Sequence, residues 1–292
     1  MPANGRSRGD VSEVKSATTP LFEPLTDDAI ARMATAEPRL REVMTILLRH
    51  IHDAVREAYV TEQEWALAIE FLTQTGKMCD GNRQEFILLS DVLGISMLID
   101  AINHGADGGA SESTVLGPFY AGLQPISPIG SSILKRREPG ELMVMEGGIA
   151  DCDGSPLAGA LIEVWQTAPN GLYDVQDPAQ PQGHLRATFQ TDESGAYRFE
   201  TVTPVSYAIP DDGPVGRLLD QMGRHPNRPS HIHFMITAPG YRRLVTHLFI
   251  AGDPYLHSDA VFGVKESLIV TPVEDDEGRR VVRYDFKLAK DG

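Results

Sequence analysis

The sequence has little cysteine, a shortage of basic residues and no long apolar run, and each shortage excludes a class of protein. Its 292 residues include 2 cysteines, Cys79 and Cys152. These are too few for a disulfide framework or a cysteine-based zinc site. The 26 lysines and arginines face 41 aspartates and glutamates, which gives a net charge of −15. Because nucleic acid and anionic membranes repel such a chain, we expect neither as a partner.

The apolar residues are spread along the chain in short groups. No group approaches the ~18 consecutive apolar residues that span a bilayer, and the first twenty residues lack the apolar segment of a signal peptide. We therefore expect a cytoplasmic protein in which residues 1–24 form a flexible tail. An apolar fraction of 41% and a charged fraction of 23% are typical of globular domains.

Helical patterns begin after the tail. The sequence predicts a first helix from Thr26 and a second from about Pro38, because proline suits a first helical turn, where its missing N–H has no partner anyway. Apolar residues follow at steps of three and four, which places them on one stripe of the second helix. The stripe consists of Leu40, Val43, Leu47, Ile51, Val55 and Ala58.

Capping signals mark the helices that follow. Thr61 with Glu64 three residues later is a capping-box pattern, and Asn82 with Glu85 repeats it. The helix after Thr61 is expected to end at Gly76. Together these signals predict a helical domain over residues 25–110.

The remaining residues, 111–292, have the sequence pattern of a β domain. Residues 161–165, 196–202 and 231–236 alternate with period two, as half-buried strands do, and turns rich in Gly, Pro, Asp and Ser separate them. Strands at this spacing predict a sandwich or barrel. The expected fold is therefore mixed α and β, with an N-terminal helical domain followed by a mostly antiparallel β-sandwich.

Two histidines on one of these strands are candidate metal ligands. His231 and His233 face the same side of a strand, ~7 Å apart at the backbone. Residues 234–240 contain no carboxylate for a cupin-type site, and no cysteine lies nearby for zinc. A pair of surface histidines without function is an equally simple interpretation. Upstream, however, Tyr173 and Tyr207 lie in loop contexts where a core tyrosine is not expected.

If Tyr173 and Tyr207 join the two histidines, the ion is constrained. A free phenol has a pKa of about 10, so a strongly acidic cation is needed to bind it as phenolate at neutral pH. Two phenolates and two imidazoles suit ferric iron better than Zn²⁺, Mg²⁺ or Cu⁺. The alternative is that both rings pack as ordinary aromatic residues with hydrogen-bonded hydroxyls.

Four segments in this order and spacing resemble the intradiol ring-cleavage dioxygenases: LGPFY at 116–120, GLYD at 171–174, SYAIP at 206–210 and RPSHIH at 228–233. The resemblance covers most of the chain from about residue 25. It implies an enzyme with one non-haem Fe³⁺ per subunit that opens a 1,2-dihydroxybenzene with O₂. Tyr173 and His231 would be equatorial ligands, and Tyr207 and His233 axial ones. It further implies a β-sandwich catalytic domain and a homodimer built through the helical domain, and it allows a phospholipid between the paired helical domains.

The same resemblance implies roles for three catalytic residues. Tyr207 would leave the metal when the diol binds and take one of its protons. Arg228 would stabilise negative charge on the substrate during attack by O₂, although a surface ion pair is the simpler interpretation of this arginine. His247 stands where the catechol branch of the family typically has glutamine, and we expect it beside the ligands.

The substrate is indicated by further segments. ESTVLGPF at 112–119, THLF at 246–249 and residues 253–264 are similar to the hydroxyquinol branch of the family, which opens benzene-1,2,4-triol to 3-hydroxy-cis,cis-muconate, the enol form of maleylacetate. Asp91 would accept a hydrogen bond from the third hydroxyl, unless it is a helix-surface aspartate. Catechol or chlorocatechol remains the alternative substrate. The expected pocket consists of Leu88, Asp91, Val115, Gly117, Pro118, Phe119, Ile209, Pro210, Arg228 and Val261.

Three other functions fit parts of the pattern. A sandwich carrier could present the same strands without metal, and an interaction protein could dimerise through its helical domain. A zinc hydrolase is the enzymatic rival. The colour of the purified protein separates the carrier and the interaction protein from an iron enzyme, because tyrosinate bound to Fe³⁺ absorbs visible light, and metal analysis decides on the zinc hydrolase.

Overall fold

The structure is a computed structural model that describes residues 23–80, 83–105 and 108–291. All but the last two residues of the predicted tail lie outside these ranges, as does Asn82 of the second capping pattern. The chain divides into two compact units, Met1–Glu70 and Phe71–Gly292. Within the described ranges, no helix is both long and apolar enough to cross a membrane.

The first unit contains helices α1 (Glu23–Ala31) and α2 (Pro38–Ala58) and the start of α3 (Glu62–Lys77). α2 begins at Pro38 as predicted. α1 begins three residues before the predicted Thr26, because the Thr26 hydroxyl contacts His52 Nδ1 of α2 at 2.9 Å instead of capping a helix. The exposed fraction of each large apolar residue of the α2 stripe lies between 42 and 49%. The stripe is therefore open to solvent.

The predicted capping box is present at the start of α3. The Thr61 N–H donates to Glu64 Oε2 at 2.8 Å, and the Glu64 N–H donates to Thr61 Oγ1 at 3.2 Å. α3 ends at Lys77, one residue beyond Gly76.

The second unit contains the rest of α3 and three more helices, α4 (Glu85–Val92), α5 (Ile95–His104) and α6 (Pro214–Gln221). Leu88 and Val92 of α4 pack in one buried cluster with Val215 and Leu219 of α6. α4 therefore belongs to the same compact unit as the strands. The division at residue 110 stays a prediction.

Among the described residues, this unit also contains a short 3-10 helix (Glu266–Leu268) and strands that form three sheets. The strands are β1 (Leu142–Asp151), β2 (Leu161–Trp165), β3 (Arg186–Gln190), β4 (Ala196–Val202), β5 (Tyr207–Ala208), β6 (Asn227–Arg228), β7 (His231–Thr237), β8 (Leu244–Ile250), β9 (Ile269–Val270), β10 (Val273–Glu274), β11 (Arg280–Arg283) and β12 (Phe286–Leu288). The first sheet has the order β10-β11-β1-β12, with β4 paired to β1; the second has the order β3-β2-β7-β8-β9; β5 and β6 form a short third sheet. The described pairings are antiparallel except β1–β11, β1–β12 and β8–β9.

The two five-stranded sheets pack face to face, as the predicted β-sandwich requires. Phe199 of β4 lies 5.3 Å from Phe189 of β3, and Phe286 of β12 lies 4.9 Å from Phe234 of β7, measured between ring centroids. Phe234 belongs to this core between the sheets. Since side chains alternate along a strand, its neighbour His233 must face the opposite side of the sheet. Because Phe234 faces the core, His233 lies on the outer face of the second sheet.

Candidate metal centre

Three strands place three rings side by side on the outer face of the second sheet. Trp165 of β2 pairs with His233 of β7, and His233 pairs with His247 of β8. The Trp165 and His233 rings are stacked, with centroids 4.6 Å apart and planes 14° apart, and the His247 centroid lies 4.1 Å from that of His233. The register of the sheet therefore builds a buried row of rings from residues that are far apart in sequence.

A loop and a two-residue strand bring phenol oxygens to this row. Tyr173 follows a turn in which Gly171 has a φ of +79°, a conformation that glycine adopts readily, and Tyr207 opens β5. Tyr173 Oη lies 2.8 Å from His233 Nε2 and 3.2 Å from Tyr207 Oη. His231 Nε2 is 3.3 Å from His233 Nε2. The structure thus brings together all four residues that the sequence singled out as metal ligands.

His231 has the hydrogen bonding of a metal ligand. Its Nδ1 is 2.7 Å from the carbonyl oxygen of Pro229, and because a carbonyl only accepts, Nδ1 carries the proton. Nε2 is left with a lone pair on the side facing His233. A backbone carbonyl that orients a ring in this way is common around metal-binding histidines. The ring of His231 is therefore poised to donate to an ion.

Burial and nearby charge keep the imidazoles of His231, His233 and His247 neutral. Burial lowers the pKa of His231, His233 and His247 well below the usual histidine value, and the charge of Arg228 lowers each further. Neighbouring imidazoles add to the effect at His233 and His247. Neutral imidazole is the form that binds metals.

The phenol of Tyr173, unlike the imidazoles, must lose a proton to become charged before it binds a metal. Burial, followed by the nearby Tyr207, raises the pKa of Tyr173 well above its usual value. Its ring packs on Phe119 at 4.7 Å, and the buried Arg186 guanidinium lies 5.7 Å from its centroid. Tyr173 therefore remains protonated unless a strongly acidic cation binds its oxygen.

Arg228 is buried beside the imidazoles. Its Nη1 is 3.4 Å from His231 Nε2, and its Nε donates to Asp259 Oδ1 at 3.1 Å. Burial lowers the pKa of Arg228, but the carboxylate of Asp259 and the phenols of Tyr207 and Tyr173 together raise it by more. β6 also pairs Arg228 directly with Tyr207 of β5. A permanent positive charge therefore lies at the edge of the candidate centre.

The predicted pocket residues divide into two groups. Leu88, Ile209 and Val261 share one buried cluster. Burial raises the pKa of Asp91, while a hydrogen bond with the Ser96 side chain and the charge of Arg228 work to lower it.

Gly117, in the second group, lies close to a candidate ligand: a Cβ atom added at Gly117 would lie 3.1 Å from His233 Cε1. Val115 and Pro210 are half-buried and Pro118 is exposed. The place of these three residues in a pocket stays a prediction.

Several residues of the centre were not singled out by sequence reasoning. Trp165 is one, since alternation over 161–165 predicts its strand but not which ring it will meet. Thr114 is another: its hydroxyl is hydrogen-bonded to Nδ1 of His247. Asp259 and Arg186 also emerge only from the structure. Each depends on a contact between distant segments, for which the sequence carried no local signal.

The donor set can be tested for its fit to an ion. One nitrogen each of His231, His233 and His247 lies within 4.8 Å of the others. Donors that share one transition metal at ~2.0–2.1 Å lie roughly 3 Å from one another, and the separations of 2.8, 3.2 and 3.3 Å among Tyr173, Tyr207, His231 and His233 have that size. The buried Nε2 of His247 has no hydrogen-bond partner within residues 23–80, 83–105 and 108–291. The residues therefore fit a metal with mixed oxygen and nitrogen ligands.

Comparisons with known proteins agree with this chemistry. A family model described as "Dioxygenase" matches residues 115–292, and one described as "Catechol dioxygenase N terminus" matches residues 37–111. The chain belongs to the intradiol ring-cleavage dioxygenases.

Individual members of the family are similar over nearly the whole chain. The hydroxyquinol 1,2-dioxygenase of Rhizobium sp. (strain MTP-10005) is 50% identical over 266 residues, which cover 90% of each chain. The 6-chlorohydroxyquinol 1,2-dioxygenase of Cupriavidus pinatubonensis is 48% identical over 90% of this chain and 96% of its own. A solved hydroxyquinol 1,2-dioxygenase from Pseudomonas putida DLL-E4 superimposes with a TM-score of 0.86 at 46% identity, covering 92% of this chain and 98% of that one. This intradiol dioxygenase therefore shares both sequence and fold with its relatives.

Proposed function

We propose that this intradiol dioxygenase is a ferric-iron enzyme that opens hydroxyquinol with O₂, breaking the bond between the two adjacent hydroxyl-bearing carbons. The observation that carries the proposal is the convergence of two phenol oxygens and two imidazole nitrogens within 2.8–3.3 Å of their neighbours. The names of the relatives at 48–50% identity support hydroxyquinol as the substrate.

Tyr173, Tyr207, His231 and His233 would hold the iron, one ion per subunit. Oxidised iron is favoured because it is acidic enough to displace the phenol proton of Tyr173 in a buried site. When bound, the ion would supply Lewis acidity toward the two adjacent hydroxyls of the substrate.

The chain's own residues carry the proton and the charge. Tyr207 is the proposed acceptor for a diol proton, since as a phenolate ligand of the ion it would take up that proton on release, and its Oη lies within the donor set, 3.2 Å from Tyr173 Oη. Arg228 offsets negative charge that develops on the substrate, and its buried position beside His231 makes that charge effective. The Nε2 of His247 has no hydrogen-bond partner among the described residues, and it is the proposed contact for an oxygen of the substrate.

Asp91 is the proposed determinant of the triol. It is buried, is hydrogen-bonded to the Ser96 side chain and feels the charge of Arg228, and its remaining acceptor positions would take the third hydroxyl of the triol. A site built for a hydroxyl discriminates strongly against an analogue that lacks it. Catechol and chlorocatechols are therefore the poorer substrates in this proposal.

Partners and compartment are part of the same proposal. The open apolar stripe of α2 supports a homodimer formed through the helical domain, with a phospholipid at that interface. The two cysteines are free thiols, which supports the cytoplasm. The net charge of −15 supports a protein without nucleic-acid partners.

The three-histidine cluster also supports a second candidate, a zinc hydrolase. Three histidines with an open position are a known catalytic zinc set, and His231, His233 and His247 have the required proximity. The phenols of Tyr173 and Tyr207 disfavour it, because zinc has less need of anionic oxygen ligands.

Anaerobic titration of the iron-loaded protein tests these assignments. We expect a visible tyrosinate band that shifts when hydroxyquinol is added, and ring-opened product once O₂ is admitted. A kcat/KM for catechol equal to that for hydroxyquinol would contradict the substrate assignment. A protein that stays colourless with ferric iron but hydrolyses esters with zinc would favour the second candidate.

A further inference from the structure

A single carboxylate joins the two segments that carry Tyr207 and His231. Asp253 lies in the loop after β8, and its Oδ2 accepts two hydrogen bonds, from the Ser206 hydroxyl at 2.5 Å and from the Ser230 N–H at 2.8 Å. Ser206 immediately precedes Tyr207, and Ser230 immediately precedes His231. One oxygen atom therefore binds the residue before each of these side chains.

The carboxylate is itself held firmly. Its other oxygen, Oδ1, accepts the N–H of Tyr255 at 2.9 Å. Burial works to raise the pKa of Asp253, but the hydrogen bonds from Ser206, Ser230 and Tyr255 outweigh it and lower the pKa. The group is thus anionic at neutral pH, and hydrogen bonds to anionic acceptors are the strong ones.

The two segments differ in the strand pairing that holds them in place. His231 begins β7, which pairs with β2 on one side and β8 on the other. Tyr207 begins a strand of two residues that pairs only with the equally short β6 among the described elements. The β5–β6 pairing ties Tyr207 to Arg228, three residues before His231, and the bond from Asp253 to Ser206 adds a side-chain link between the same two segments.

We propose that Asp253 is a positioning residue that sets the separation of Tyr207 from His231, and so the width of the metal centre. This inference rests on the proposed function for the role of the two side chains as ligands. It assigns Asp253 no contact with substrate: it acts through Ser206 and Ser230. Groups that orient metal ligands typically contribute 10–100-fold to metal affinity.

Asp192 provides a matched control. Its Oδ1 also accepts one hydroxyl and two backbone N–H groups, from Ser194 Oγ at 2.7 Å, Ser194 N at 2.9 Å and Ala196 N at 2.9 Å. It lies in the turn before β4 and binds neither segment. Asp192→Ala therefore removes a similar set of bonds without touching the centre.

The experiment compares Asp253→Ala, Ser206→Ala, Ser206→Thr and Asp192→Ala. Alanine is used because asparagine would keep an acceptor oxygen for the same donors. Amide hydrogen exchange is measured on the metal-free proteins, and ferric-iron affinity by competition with a chelator. Asp253→Ala should accelerate exchange at 206–208 and at 229–231 and weaken iron binding roughly 10–100-fold. Ser206→Ala should affect 206–208 alone, Ser206→Thr should restore slow exchange because it keeps the hydroxyl, and Asp192→Ala should change neither segment.

Two results would overturn the inference: unchanged exchange at both segments in Asp253→Ala, or faster exchange with unaltered iron affinity. If Asp253→Ala does not fold, Ser206→Ala and Ser206→Thr decide the question. If the native protein develops no tyrosinate band with ferric iron, the proposed function fails, and the exchange data then decide the positioning role alone.

Discussion

Asp259 binds the guanidinium of Arg228 at two points inside the protein: Nε to Oδ1 at 3.1 Å and Nη2 to Oδ2 at 3.4 Å. The carboxylate also accepts the backbone N–H of Gly263 at 2.9 Å. Both side chains are buried. The positive charge beside His231 is therefore held in one orientation.

Removing the Asp259 carboxylate should destabilise the folded protein. Asp259→Ala leaves the Arg228 charge buried and unpaired, so we expect the free energy of unfolding to fall by about 3–5 kcal/mol. The measurement is urea unfolding. Glu42→Ala, which breaks the exposed pair with Arg39, is the control and should cost about 0.5 kcal/mol or less. A loss of the same small size for Asp259→Ala would show that Arg228 finds another partner.

The two phenols should be separable by spectroscopy. With ferric iron, Tyr173→Phe is expected to remove most of the visible absorption and Tyr207→Phe to alter it, because each substitution deletes one oxygen donor. Tyr241→Phe removes a phenol that packs against the sandwich core and should leave the spectrum unchanged. An unaltered band in both Tyr173→Phe and Tyr207→Phe would exclude these residues as ligands.

Gly117 should be intolerant of a side chain. It has a φ of +75°, and an added Cβ would lie 3.1 Å from His233 Cε1. We expect Gly117→Ala to displace that imidazole and to weaken metal binding by at least ~10-fold. Gly154 has a φ of +88° with nothing within 4 Å of an added Cβ, so Gly154→Ala carries only the backbone strain of ~1–2 kcal/mol. Equal metal affinity in the two variants would contradict the contact argument.

Acid should destabilise the metal-free protein before its carboxylates titrate. The pKa values of His231, His233 and His247 are lowered in the folded state, so the unfolded chain, with histidine values of about 6.5, takes up protons first. The stability from neutral imidazoles is thus complete above about pH 6.5 and is lost as the pH falls below it, by up to ~1.4 kcal/mol per pH unit for each ring. Urea unfolding between pH 7 and 5 measures the slope. His247→Gln should make it shallower; an identical slope would refute this account.

Asp91 should govern the choice between substrates. Asp91→Asn weakens the hydrogen bond to the third hydroxyl, and bonds to charged groups are worth ~1.5–3 kcal/mol. We expect kcat/KM for hydroxyquinol to fall by roughly 10-fold or more, with a much smaller change for catechol. Steady-state kinetics on both substrates give the ratio. Asp220→Asn, at an exposed position of α6, is the control, and a parallel fall for both substrates would indicate a structural role.

Local patterns predicted the elements well. The strands at 161–165 and 196–202 have the bounds of β2 and β4, because alternation depends only on neighbouring residues. The helix from Pro38 and the capping box at Thr61 follow from equally local chemistry. α1 was misplaced by three residues because a contact with another helix recruits the Thr26 hydroxyl.

The sequence predicted the four candidate donor residues but not the contacts that hold them in place. Residue type and spacing singled out Tyr173, Tyr207, His231 and His233. The stack of Trp165 on His233 depends on sheet register, and the bond from Thr114 to His247 joins residues 133 positions apart. Such long-range contacts are settled only when the chain packs.

The placement of the four donors has a consequence for altering this protein. The imidazoles of His231 and His233 sit on a strand flanked on both sides, whereas the phenols of Tyr173 and Tyr207 are supplied from a loop and from a strand of two residues. Two of the four proposed donors thus belong to a strand paired on both sides, and two belong to segments outside that sheet. Libraries that vary residues around 170–185 and 203–212 while keeping Tyr173 and Tyr207 are expected to shift the visible absorption and reduction potential of the proposed iron centre, because the two histidines keep their places.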